Sequence, residues 1–175
     1  MATIESEVHI KAPLEAVWEL AQDVEKLPNI MPDLDKVQVL ERSEPSPMTR
    51  RTITDWSGRI KQFNRKIEWT EEDIWNLEDH TCRFWQIKGD FDEYRGEYSF
   101  REENGGTTAH VVVQYRFDVP LIGALMAKVV QKLMQENSDT YLRSLRDEAE
   151  RRVQEAIHRP AIEDRLRKIG GEKAQ

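Results

Sequence analysis

The hydrophobic pattern of this chain changes period near residue 121. From Cys82 to Val119 apolar and polar side chains alternate as they do along β-strands, with breaks at the turn residues Gly89-Asp90 and Gly105-Gly106. From Leu121 the period becomes 3.6 and holds for about thirty residues, some 45–50 Å of helix at ~1.5 Å per residue. An antiparallel meander ending in one long amphipathic helix buries both apolar surfaces if the sheet wraps the helix. The space between them is then either a packed core or a pocket.

The first half supplies the remaining elements. Ile4 to Lys11 alternates as a first strand. Pro13 then suits the first turn of a helix from Leu14 to Ala21, with Val17, Trp18 and Leu20 facing inward. A second short helix is expected from Val24 to Met31, stopped by Pro32. Further strands are predicted over Leu34–Arg42, Met48–Trp56, Arg59–Trp69, Thr81–Lys88, Tyr94–Glu102 and Thr107–Val119. Turns are expected at Ser43–Pro47, Ser57-Gly58 and Asn104-Gly105-Gly106, the last a strong hairpin signal. Thr70–Asp79 is ambiguous, with Ile74–Leu77 readable as a short strand of its own. The pattern predicts an α+β fold: a curved antiparallel sheet of about six to seven strands around a long C-terminal helix, with two short helices after strand one. Residues 1–158 read as one domain. Pro160 is expected to break the last helix and leave 159–175 as a charged tail, with a short helix as its only structure.

Alternation sorts side chains by face. One face collects Phe63, Arg65, Ile67 and Trp69 of the fourth strand, then Tyr94, Tyr98 and Phe100, and then Val113 and Tyr115. Trp85 joins this set, although the inward face of its strand is open. The helix stripe adds Met126, Leu133, Asn137 and Tyr141. Wide rings with a polar handle hold an apolar guest and orient it through a hydrogen bond, so these fourteen positions form the candidate ligand site. Arg65 between Phe63 and Ile67 needs a carboxylate or a ligand oxygen if it is buried, and Asn137 is the second candidate polar anchor. A ring-rich interior is also what an ordinary filled core looks like. Gly96 is expected to mark a bulge or bend.

Composition narrows the classes. Hydrophobic content of 38% and charged content of 34% fit a soluble domain. The net charge of −7 argues against nucleic-acid partners, which need a basic face. No apolar run is long enough for a membrane span and the start lacks a signal-peptide pattern, so the expectation is a cytoplasmic monomer or homodimer. The single cysteine, Cys82, forms no internal disulfide. The four histidines lack ligand spacing, so no metal is expected, and no cofactor fingerprint occurs. The acidic pairs Glu71-Glu72 and Glu102-Glu103 fall in expected turns and read as solvated.

Three segments carry a family resemblance: Ile10-Lys11-Ala12-Pro13-Leu14-Glu15-Ala16-Val17-Trp18 continuing through Asp23–Pro28; Gly89-Asp90-Phe91 followed by Gly96–Phe100; and Gly105-Gly106-Thr107 leading to the closing helix. Together they resemble the START-like helix-grip superfamily, which includes polyketide cyclases/dehydrases and coenzyme Q-binding START proteins. The resemblance implies a sheet gripping the C-terminal helix around an apolar cavity. It also implies a polyketide, quinone or lipid as partner. In the aromatase/cyclases an arginine with tyrosines and tryptophans promotes closure and dehydration of a reactive chain. Arg65 and Tyr98 are the corresponding catalytic candidates here. Leu27 and Leu34 stand where those cyclases often have tryptophan and tyrosine, which weakens the cyclase reading and leaves ligand binding intact. Three readings therefore stand: apolar small-molecule binding, a cyclase or dehydratase in the same cavity, and an interaction module with a filled core.

Overall fold

The computed structural model describes residues 1–31, 34–60, 65–117 and 123–171; at 60, 123–126 and 160–171 the backbone alone is described. The strands are β1 (Ala2–Ile10), β2 (Leu34–Ser46), β3 (Thr49–Ile60), β4 (Arg65–Asn76), β5 (Thr81–Gly89), β6 (Glu93–Glu103) and β7 (Gly106–Arg116). Helix α1 (Leu14–Gln22) and a six-residue 3-10 helix (Val24–Asn29) follow β1, and α2 (Gly123–Gly171) closes the chain. The strands form one antiparallel sheet in the order β1-β7-β6-β5-β4-β3-β2. Helix α2 packs against β1, β7 and α1, so the sheet curls around it. This is the helix-grip architecture expected from the pattern.

Several boundaries differ from expectation. Ser57-Gly58 is not a turn: β3 runs through it, with Ser57 opposite Glu68 and Gly58 opposite Ile67. The ambiguous Thr70–Asp79 segment mostly continues β4, which extends to Asn76. Pairing along both edges of β4 holds these residues extended whatever their local preference. Edge strand β2 carries register shifts that absorb its irregular end, including Pro45, as an edge tolerates. Pro160 does not end α2, whose backbone stays helical to Gly171. A proline removes one amide donor, and here the rest of the ladder carries the helix past it.

Gly96 does not bulge; the β6–β7 register passes through it unbroken. A Cβ there would lie 2.5 Å from Phe84 Cζ and 2.3 Å from the Val112 carbonyl oxygen, so the absent side chain is the seat of the Phe84 ring. The hairpin at Asn104-Gly105 has both residues at positive φ, 50° and 73°, as a tight turn between β6 and β7 requires.

The packed core occupies one end of the grip. Trp18 meets Trp75, His80 and Phe100 edge-on at 5.3–5.5 Å. Ile10, Val17, Leu142 and Leu145 are buried around it. Polar contacts fix α2 along β1. Asp139 accepts a 2.6 Å bond from Ser6 Oγ, Gln135 Nε2 donates to Ser6 Oγ and to the Glu5 carbonyl, and Glu150 accepts from the Lys11 amide.

Candidate functional site: a ring-lined cavity with a buried carboxyl pair

At the other end the sheet and α2 stand apart, leaving a cavity of about 150 Å³. That is the size of an engineered apolar void able to take up benzene. Odd positions of β4 face it in sequence: Ile67, Trp69, Glu71, Asp73 and Trp75. Trp56 and Gly58 of β3, Tyr94 and Tyr98 of β6, Phe91 and Phe117 add further wall. Helix α2 contributes Val130, Leu133, Met134, Asn137, Ser138 and Tyr141. Arg59 and Asn137 are the solvent-exposed members of the lining and mark its mouth.

The rings are ordered by strand register. Trp56 and Trp69 are opposite each other across β3 and β4 and stack at 5.7 Å. Phe91 stacks on Tyr94 at 4.8 Å, and Tyr98 leans on Tyr141 at 5.2 Å. Gly89, opposite Trp69, has φ 151°, and a Cβ there would come within 2.5 Å of Trp69 Cβ, so glycine lets the indole sit over the strand.

Glu71 and Asp73 are 6% and 4% exposed. Two carboxyls in an apolar wall cannot both stay ionised. Burial, and then the charge of Asp73, push Glu71 well above the usual carboxylate range, while the Trp69 indole N–H, donating to Glu71 Oε2 at 3.0 Å, pulls the other way. Trp56 Nε1–H also faces this carboxyl without closing a well-formed hydrogen bond. Asp73 is raised to about 6, again by burial, offset by hydroxyls of Thr52 (3.0 Å) and Thr54 (3.4 Å) that donate to Oδ2. Trp75 Nε1 donates in turn to Thr52 Oγ1 at 3.2 Å. Burial thus raises both carboxyls, Glu71 the more strongly, so a proton retained by the pair favours Glu71 over Asp73. Burial also raises the Tyr94, Tyr98 and Tyr141 hydroxyls, which stay protonated as donors.

Of the fourteen positions singled out from sequence, Ile67, Trp69, Tyr94, Tyr98, Leu133, Asn137 and Tyr141 line this cavity. Phe100, Val113 and Tyr115 are buried in the packed core instead, and the Tyr115 hydroxyl has no partner among the described residues. Trp85 is on the opposite face. Pairing of Phe84 with Asp73 and with Gly96 turns the even positions of β5 inward, and an irregularity at Ile87 restores register before Gly89. Arg65 is exposed at the start of β4, its guanidinium 5.4 Å from the Phe117 ring centre, and it is not part of the lining. In water at a strand end it needs no buried counter-charge. Phe63 lies outside the described residues, and for Met126 only the backbone of α2 is described.

Glu71 and Asp73 are not among the positions the sequence pattern singles out, where Glu71 reads as a solvated turn residue. The signal was present: the odd positions that place Ile67 and Trp69 inward continue without a break to Trp75. No helix among the described residues is long and apolar enough to cross a membrane.

Comparison with known proteins agrees with this architecture. A protein of solved structure from Thermus thermophilus, TTHA0849, is 34% identical, with 83% of this chain and 95% of that chain covered at a TM-score of 0.77. The Zhui aromatase/cyclase from a Streptomyces species superposes with a TM-score of 0.73 at 19% identity, over 87% of this chain and 95% of its own. A START superfamily protein from Mycobacterium smegmatis gives 0.69 at 16% identity, over 85% and 97%. These last two share the fold. The family model described as polyketide cyclase/dehydrase and lipid transport matches residues 10–140, most of the folded chain. With its sheet closed on α2 around an apolar cavity and that family match, the chain belongs to the polyketide cyclase/dehydrase and lipid transport family.

Proposed function

We propose that the protein takes up an apolar, ring-bearing small molecule, of the size and character of a polyketide, quinone or lipid fragment, in the cavity between sheet and α2. The observation that carries this reading is the ring-lined void of about 150 Å³ between the sheet and α2. Burying ~300 Å² of apolar ligand surface contributes on the order of 7 kcal/mol before association costs, enough for useful affinity. Native mass spectrometry of protein purified from cells tests it. A co-purified apolar compound, or uptake of one offered in solution, is expected. A clean apo mass that no apolar compound shifts returns the protein to the filled-core reading.

A second reading, a cyclase or dehydratase acting in the same cavity, is favoured by the carboxyl pair. Asp73 would remove a proton from a carbon next to a carbonyl, the resulting enolate would attack a second carbonyl, and Glu71 would protonate the new alkoxide. Loss of that hydroxyl as water with a second α-proton then leaves a double bond. Tyr98 would donate to the developing enolate oxygen, and Arg65, outside the cavity, would have no part in the bond changes. Glu71→Gln and Asp73→Asn separate the readings: loss of turnover with the ligand still bound supports catalysis, and an unchanged product profile excludes it.

A further inference from the structure

The cavity has a charge character that its apolar lining does not announce. Its acidic members, Glu71 and Asp73, are deep, whereas the cation among its described lining residues, Arg59, is exposed at the mouth and 3.5 Å from Asp35. Nothing cationic therefore faces the interior from the described walls to receive a ligand carboxylate.

The pair is also already organised. Asp73 Oδ2 receives the Thr52 and Thr54 hydroxyls, and Glu71 receives the Trp69 indole. A buried ionised carboxylate met by such donors is satisfied without a counter-cation.

Tyr141 offers a hydroxyl to the same cavity. It is 8% exposed, lines the same cavity, and its hydroxyl enters no hydrogen bond among the described residues. That hydroxyl is not among the fully buried unpaired atoms, so it opens into the cavity and is available as a donor. A guest oxygen that accepts from Tyr141 can meet the carboxyl pair in the same cavity.

We propose that the Glu71–Asp73 pair and the Tyr141 hydroxyl recognise an uncharged oxygen function on an apolar ring, a phenol, alcohol or ketone, and that the same pair shuts out carboxylates such as fatty acids. The proposal rests on the cavity being a binding site, and names the ligand class that site accepts. A carboxylate entering it would shed its hydration beside Asp73 with no cation to replace the lost water. A ring ketone or phenol sheds far less.

Calorimetric titration of the full chain at pH 7 with naphthalene, 2-naphthol, 2-naphthoate and 2-naphthylmethylamine tests this. The expected result is 2-naphthol at least tenfold tighter than 2-naphthoate, with the ratio falling below threefold in the Glu71→Gln/Asp73→Asn double variant. Tyr141→Phe, a change that retains the ring, should weaken 2-naphthol about fivefold relative to naphthalene. Equal affinity for naphthol and naphthoate, a gap that survives in the double variant, or the amine as tightest ligand would each overturn the proposal. If naphthalene binds and the polar probes do not differ, this inference alone fails. If no probe binds, the small-molecule reading fails with it.

Discussion

Trp56 and Trp69 sit directly opposite each other across the β3–β4 ladder, and their indoles stack with 5° between planes. Cross-strand register thus makes one flat wall of the cavity from residues thirteen positions apart.

Trp56→Ala removes half of that wall. Trp56 is partly exposed, so the expected loss is about 2 kcal/mol, below the range for a fully buried tryptophan. Urea denaturation measures it. A change under 0.5 kcal/mol shows the stack to be an incidental contact.

Gly96→Ala should be far more damaging than an ordinary glycine replacement in a strand. The added methyl meets the Val112 carbonyl as well as the Phe84 ring. A loss of about 3 kcal/mol is expected, and Phe84→Leu should not rescue it, since backbone rather than a flexible side chain blocks the space. Thermal unfolding of the single and double variants decides; full rescue would place the whole clash on the ring.

Asp73 makes stability depend on pH in the unusual direction. Its carboxyl goes from an ordinary 3.8 to about 6 on folding, so the folded state binds more protons between those values. Stability contributed by the protonated form is present below 3.8 and lost as pH rises through about 6, a cost on the order of 3 kcal/mol at neutrality. Asp73→Asn should therefore gain in Tm over the parent as pH goes from 4 to 7. An offset that stays constant across that range contradicts the assignment.

Glu148 behaves in the opposite sense. Arg151 first and Arg152 next, each donating at 2.8 Å, hold its carboxyl down to about 2. The stability this supplies is present above the ordinary 4.5 and is lost as pH falls through about 2. Both arginines are about half exposed, which limits the effect of Glu148→Gln to ~1 kcal/mol at pH 7. Repeating the urea titration in 1 M salt should shrink it by about half; an effect insensitive to salt would point to packing instead.

Reading by face worked wherever a strand kept one parity and a known partner. Tyr94 and Tyr98 follow from β6 alone, and Leu133 and Tyr141 from the helical stripe. It did not reach Trp85, because β5 alternates equally well either way up and its orientation comes from the pairing of Phe84 with Gly96. Glu71 and Asp73 escape it because their polar stretch locally ends the strand pattern, whereas pairing on both sides carries β4 on to Asn76.

The chain's own pattern determined the order of elements, the wrapping of a sheet around a final helix and the ring-rich interior, since each follows from side-chain period and turn chemistry local to a segment. Only the tertiary structure decided which rings fill the core and which border a void. That division depends on how far α2 stands from each part of the curved sheet, a distance no local period encodes. The same closure buried Glu71 and Asp73 side by side and raised both carboxyls. Their chemistry comes from being removed from water together, and burial belongs to the assembled fold.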